Sequence, residues 1–352
     1  MQVLHEVKGK AAAWEEKFIA PAFGAGRCPK LVGQVRSSRN REVRVNALSV
    51  LCDELRNPMS VVECIKAGVI PVLNEETSSD PDALTRKRAS KALEICSRDA
   101  NGANAMLESG TPGAILSALN DQQDDVRRNV YEALVGLTNG NRRGVRSLIE
   151  AKYAGVLVAK AAHECASLKP IVLKLLRNCL SDDDGLREAL ESSAVDTCIT
   201  LLDDPETRAR REAAETLATL CFAEMAKIIA IEQDAVKALL DLLKDPDHTV
   251  RASAAKALMA VSTTDEGKRA MVPDPDLESI EAVDLLVTLL SEPSTTLNCL
   301  KCLANLAVHP RARTQMRNTP DCISKLDDLC QSKTALIKKH ANIAKQAVLW
   351  EP

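Results

Sequence analysis

The sequence predicts an all-helical repeat protein, and three observations carry that prediction. A repeat of about 41 residues, a length typical of helical repeat arrays, runs through the chain. Each repeat holds a helical stripe of apolar residues, and the composition is 45% hydrophobic but only 2% aromatic. The repeat emerges when segments 43–51, 126–134, 209–217 and 250–258 are superposed, which they do without gaps. With the last leucine of each as anchor, the series is Leu51, Leu93, Leu134, Leu176, Leu217, Leu258 and Leu303, with Ala344 as a weaker last member. The steps between successive anchors are 42, 41, 42, 41, 41, 45 and 41 in the numbering. Within each anchor helix the apolar residues fall at the anchor, three and four before it, and three after it. That is one face of a helix, hence core.

A period of this size belongs to units of two or three helices that cannot bury their apolar faces alone and must stack. The predicted fold is therefore an all-α, right-handed armadillo/HEAT-type superhelical solenoid of about eight repeats, one per anchor. Taken in chain order, residues 1–27 precede the first repeat and hold Trp14, Phe18 and Phe23 around Pro21. They read as an N-terminal extension or cap, because terminal repeats need covering. Residues 28–352 read as a single solenoid. Shorter apolar segments at 114–121, 198–205, 238–246 and 285–293 end in acidic, polar or proline-containing turns just before an anchor helix. Segments 102–110 and 267–271 match the short first helix of an armadillo unit, which favours three helices per repeat over two. The one step of 45 has its cause at 272–281, where Pro273 and Pro275 exclude helix and an acidic loop is inserted.

Composition narrows the function classes. A formal net charge of −3 gives no global attraction to nucleic acid or to an anionic membrane, and no strong local basic patch is present. No apolar run reaches the roughly 18 residues that a membrane-spanning helix needs. Residues 1–10 carry charges where a secretory signal needs its apolar stretch. The expectation is a soluble intracellular protein with no nucleic-acid, membrane or small-molecule partner. Twelve cysteines lie scattered beside aliphatic residues, as small core side chains of a reducing compartment do.

Catalysis needs a nucleophile, a base or a metal held together, and the five histidines His5, His163, His248, His309 and His340 belong to no motif. His163-Glu164 lacks the second histidine of a zincin helix, Gly24 and Gly26 lack the rest of a dinucleotide fingerprint, and no phosphate-binding loop occurs. Cys299 and Cys302 form a CxxC in mid-helix without a second pair, which reads as core packing rather than zinc. No enzyme, cofactor or metal site is expected.

Two positional series remain. Seven positions before the anchor stand Arg44, Arg86, Arg127, Lys169, Arg210 and Arg251, broken only at Thr296. A cation in the first helical turn opposes the macrodipole, and four positions earlier the same units offer Asn40, Asp82, Gln123, Glu206 and Asp247. That pairing predicts a structural ladder between repeats rather than a groove for acidic ligands. Two positions before the anchor, on the expected concave wall, stand Ser49, Lys91, Glu132, Lys174, Glu215, Lys256 and Lys301. Nuclear-import receptors of this architecture carry Trp at that position and Asn two after the anchor. Here the Trp is absent and the Asn persists only at Asn178 and Asn305, so classical nuclear-signal binding is disfavoured. Lys91, Glu132, Lys174, Asn178, Glu215, Lys256, Lys301 and Asn305 are the candidate partner contacts.

The flanks carry a more specific resemblance. Ile-Ala-Pro-Ala-Phe-Gly-Ala-Gly-Arg at 19–27, Ala-Leu-Ser-Val-Leu-Cys-Asp-Glu-Leu-Arg-Asn-Pro at 47–58, Ala-Ala-Lys-Ala-Leu-Met-Ala-Val-Ser-Thr-Thr-Asp-Glu-Gly-Lys at 254–268 and Ala-Val-Leu-Trp-Glu-Pro at 347–352 resemble the armadillo-repeat proteins of ciliary radial spokes. That family includes the vertebrate rhabdoid tumour deletion region protein. The resemblance implies a non-catalytic scaffold in the axoneme of a cilium or flagellum, part of the cytoskeleton, with other spoke subunits as partners. It supplies no catalytic motif to map. The alternative is a general cytosolic armadillo adaptor that binds an extended peptide in its concave groove.

Overall fold

The computed structural model describes residues 26–272 and 281–351. Residues 1–25, most of the expected N-terminal cap, and 273–280, most of the expected acidic loop, lie outside the described residues. The described chain is helical, with no strand, and divides into two compact units, Met1–Tyr153 and Ala154–Pro352.

In the first unit, helices Arg27–Ser37 and Arg41–Glu54 are followed by two full repeats. One is Pro58–Lys66, Val69–Ser79 and Ala83–Cys96. The other is Ala100–Glu108, a broken second helix (Thr111–Ala114 and the 3-10 turn Leu116–Asn120) and Asp124–Thr138, with Arg142–Glu150 after it. In the second unit the long helices are Lys169–Cys179, Thr207–Leu220, His248–Val261, Thr296–Leu306 and Ala335–Leu349, each of the last four preceded by two shorter ones. Within each unit, consecutive long helices pack on one another and form its spine. The fold class is the all-α armadillo/HEAT-type repeat solenoid, with three helices per complete repeat.

Local chemistry explains where each element starts and stops. Asn40, Asp82 and Asp247 are N-caps of long helices and accept the amide hydrogens of Glu42, Thr85 and Thr249. Asn57, Asp99 and Thr264 cap short first helices in the same way. The link between first and second helix turns through one left-handed residue: Gly68 and Gly110, then Lys152, Ser193, Asp234 and Asp321. All eight anchors are buried: the seven leucines are at most 1% exposed and Ala344 is at 0%. Where a short first helix crosses the end of the preceding long one, a side chain has no room. A Cβ on Gly144 would meet the Leu137 carbonyl oxygen at 1.9 Å, and one on Gly267 the Val261 oxygen at 2.1 Å.

Candidate interaction surfaces

The cation ladder is built from the turn that precedes each long helix. In that turn a carboxylate two positions before the N-cap folds back on the cap's own amide: Asp121 accepts from Gln123 at 2.8 Å, Asp204 from Glu206 at 2.9 Å and Asp245 from Asp247 at 2.8 Å. The second carboxylate oxygen then accepts from the cation of the preceding repeat. Arg86 reaches Asp121 at 2.5 Å, Lys169 reaches Asp204 at 2.6 Å and Arg210 reaches Asp245 at 2.8 Å. Arg44 pairs with both Glu76 and Asp80, and Arg251 makes a forked pair to Glu292 at 3.0 and 2.8 Å. The guanidinium's other edge points home. Arg86, Arg210 and Arg251 each donate to the backbone carbonyls six and five positions earlier, and Arg127 donates to the Asp121 carbonyl and the Asp124 carboxylate.

One expectation is corrected here. The residues four before each cation do not pair with it, because they sit at the N-caps, and Asn40, Asp82 and Asp247 are taken up by helix amides. The partner is the acid of the next repeat. That signal is present in the sequence as Asp80, Asp121, Asp204 and Asp245, which stand at one common register ahead of the anchors Leu93, Leu134, Leu217 and Leu258. Burial opposes ionisation of Asp121, yet the Arg86 guanidinium and the Gln123 amide hold its carboxyl below the usual range. At Glu76 burial prevails over Arg44, and its carboxyl lies above that range.

The candidate concave positions divide by what they touch. Glu215 accepts from Lys256 at 2.6 Å and from Ser253 at 3.3 Å, so two neighbouring long helices grip each other there. Asn305 donates to Ser262 at 2.9 Å across the next pair, and Lys91 pairs within its own helix with Glu94 at 2.7 Å. The carbonyl of half-buried Asn178 accepts from Ser181. Glu132 and Lys174 are exposed. Lys301, half-buried, faces His340, whose imidazole loses its proton more readily through burial and the charges of Lys301 and Lys339.

Cys299 and Cys302 are both fully buried, and burial raises both thiols, Cys302 to about 12. They behave as core side chains. Among the described residues no group of three histidine, cysteine or carboxylate side chains is placed to hold a metal ion, and no helix is long and apolar enough to cross a membrane. His163 and His248 are exposed, His309 and His340 half-buried, and His5 lies outside the described residues.

Comparison with known proteins agrees with this repeat chemistry. Residues 195–295 match the HEAT repeats family. Radial spoke protein 14 of Chlamydomonas reinhardtii is 27% identical over 155 residues, which is 44% of this chain and 39% of the relative. The chain thus spans about two-fifths of that relative's length. Among solved structures, an engineered protein superposes with a TM-score of 0.81 over 93% of this chain and 79% of its own, at 22% identity. A designed armadillo repeat protein in complex with the peptide (KR)4 superposes with a TM-score of 0.61 over 66% of this chain and 99% of its own, at 21% identity. These structural likenesses speak to the fold.

Proposed function

We propose that this chain, an armadillo-repeat protein related to the radial spoke proteins, is a non-catalytic scaffold of the axonemal radial spoke that holds spoke subunits together through its repeat surfaces. The observation that carries the reading is the match to radial spoke protein 14 over 155 residues. It agrees with the resemblance at 19–27 and 347–352, segments that stacking alone does not require. An array of repeats suits the task physically. A rigid stack that touches two or more subunits raises their effective concentration for one another, so its loss weakens an assembly more than loss of any one contact.

Within this reading, the partner contacts fall on the candidate positions left open, Glu132, Lys174 and Lys301. Glu215, Lys256 and Asn305 serve the joints between repeats, and the cations at Arg44, Arg86, Arg127, Lys169, Arg210 and Arg251 form the structural ladder. The competing adaptor reading places an extended peptide along the long helices. Lys91, Lys174, Lys256 and Lys301 there disfavour a basic peptide of the (KR)4 kind.

The test is a tagged chain expressed in ciliated cells, together with a null. The scaffold reading expects the tag along the axoneme, co-purification with spoke components after salt extraction, and defective spokes with impaired beating in the null. A diffuse cytosolic or nuclear signal with normal spokes in the null would leave the adaptor reading in place.

A further inference from the structure

Three consecutive short first helices of the second unit, Asp183–Glu191, Glu224–Glu232 and Asp265–Met271, share a register set by their N-caps Asp182, Ala223 and Thr264. One position before the cap, and two and five after it, the flanking helices carry Ser181, Asp184 and Arg187, and Thr263, Glu266 and Arg269. The middle helix carries Phe222, Met225 and Ile228 there, 74%, 61% and 42% exposed. A spacing of three sets them along one side of the helix. A single exposed apolar side chain such as Met59 is ordinary, whereas a contiguous group marks a surface that something covers. Local structure does not account for the group. An apolar residue just ahead of an N-cap normally packs on the fourth helical residue, and here that residue is Lys227. Nor is the group the edge of the array, since repeats stand on both sides and Glu224–Glu232 packs on Asp265–Met271.

Charge says what would cover this surface. Residues 181–295 hold 25 of the chain's 49 acidic residues but only 11 of its 46 basic ones. The three first helices themselves hold eight carboxylates and four cations, whereas Arg142–Glu150 holds three arginines and one carboxylate, and Pro310–Asn318 three arginines and none. All four cations are engaged within their own helices: Arg187 with Asp184, Lys227 with Glu224, Lys268 with Asp265 and Arg269 with Glu266. In two of these pairs the lysine is tucked down, at 13% and 18% exposure, and its carboxylate stands out, at 66% and 73%. The exposed Asp183, Glu191 and Glu232 are in surplus. An acidic rim of this kind repels nucleic acid and anionic lipid and attracts lysine and arginine.

We propose that Phe222, Met225 and Ile228 dock an amphipathic basic segment of a partner protein, its apolar side chains packed on these three and its lysines or arginines set against the surrounding carboxylates. Apolar anchors supply the affinity of such a contact, and rim charge supplies its selectivity. The surface is separate from the open concave positions Glu132, Lys174 and Lys301, so one chain could hold two partners at once. The inference rests on the scaffold reading only in taking the partner to be a protein. Binding between purified components succeeds or fails independently of where the chain sits in a cell.

The experiment uses the full chain and fluorescence anisotropy of a labelled synthetic helix of about five turns, with leucines along one face and lysines beside them; a control peptide has glutamates in place of the lysines. Saturable binding of the lysine peptide is expected, with roughly tenfold weaker binding of the glutamate one. Phe222→Ser with Met225→Ser should weaken the lysine peptide by roughly tenfold or more, whereas Met59→Ser should leave it unchanged. Asp183→Asn with Glu191→Gln and Glu232→Gln should weaken it several-fold and flatten its dependence on salt. All the substituted side chains are exposed, so the circular dichroism of every variant should match the parent. No saturable binding, equal affinity for the two peptides, or binding that survives Phe222→Ser with Met225→Ser would overturn the proposal. So would capture by phosphatidylserine vesicles that this variant loses, which would give the surface to a membrane. A dimer in sedimentation that the same variant dissolves would give it to a second copy and overturn the proposal equally.

Discussion

Arg251 and Thr296 stand at the same register, seven positions before the anchors Leu258 and Leu303, and meet the same need with different reach. Arg251 donates to the Asp245 carbonyl at 2.7 Å and the Pro246 carbonyl at 3.0 Å, then extends its other edge to Glu292 of the next repeat. Thr296 donates to the Leu290 carbonyl, again six positions back, at 3.1 Å and to the Glu292 carbonyl at 2.7 Å, and stops there. The threonine is 3% exposed, whereas the arginine side chain is 22% exposed. The requirement shared by Arg86, Arg127, Arg210, Arg251 and Thr296 is thus a donor for the turn carbonyls ahead of their long helices, since buried carbonyls left unpaired are costly. The ion pair to the next repeat is an addition that only a long cation can make.

The largest expected effect shows where this difference does not matter. Leu258→Ala and Leu303→Ala each delete a fully buried anchor and should each cost about 2 to 5 kcal/mol in chemical denaturation, whatever stands seven positions earlier. A loss at Leu303 several-fold smaller than at Leu258 would tie the packing to the rung and break the separation. Next comes Thr296→Val, which keeps the shape and takes the hydroxyl donor from the buried Leu290 carbonyl, while the Glu292 carbonyl keeps the amides of Thr295 and Thr296. It should cost about 1 to 3 kcal/mol by the same measurement. Arg251→Ala should cost less, about 1 to 2 kcal/mol, because water can reach the freed carbonyls and the pair is a fifth exposed. The reverse order would mean that the ion pair, and not the carbonyl donor, holds the junction.

The separation into anchors and rungs also marks how far the sequence could be read. The period and the anchors were legible because a buried stripe tolerates no slip of register, as Leu217 and Leu258 illustrate at 0% exposure. The ladder cations were legible by recurrence, but their partners were not. Asp80 and Asp82, like Asp245 and Asp247, stand on either side of a proline, and only the direction of the side chain decides which caps a helix and which reaches the neighbouring repeat. Arg177, in the last turn of Lys169–Cys179, and Glu212, inside Thr207–Leu220, pair at 2.7 Å with no turn motif to announce them. Glu215 and Lys256 read as open surface because each is polar on a half-buried face; the contact between them depends on the stacking of Thr207–Leu220 against His248–Val261. Gly68 and Gly110 announce the left-handed link, while Lys152, Ser193, Asp234 and Asp321 adopt it without the glycine that would signal it.

The smallest expected effect separates the two junctions by pH. The Arg251 guanidinium holds the Glu292 carboxyl below the usual range against the opposing influence of burial. A carboxylate whose folded pKa is depressed contributes stability that is fully present above its unfolded value of about 4.3 and is lost as pH falls through the folded value. The cost of Arg251→Ala should therefore shrink as the solution is acidified below about pH 4.3, by at most about 1 kcal/mol because the pair is partly screened by solvent. The hydroxyl and carbonyls at Thr296 do not titrate, so the cost of Thr296→Val should stay level over the same window. Parallel denaturation of the parent and the two variants across that range checks both expectations. If the two costs fell together, acid would be loosening the whole unit. If neither changed, Glu292 would contribute nothing beyond the backbone carbonyls that Arg251 already satisfies.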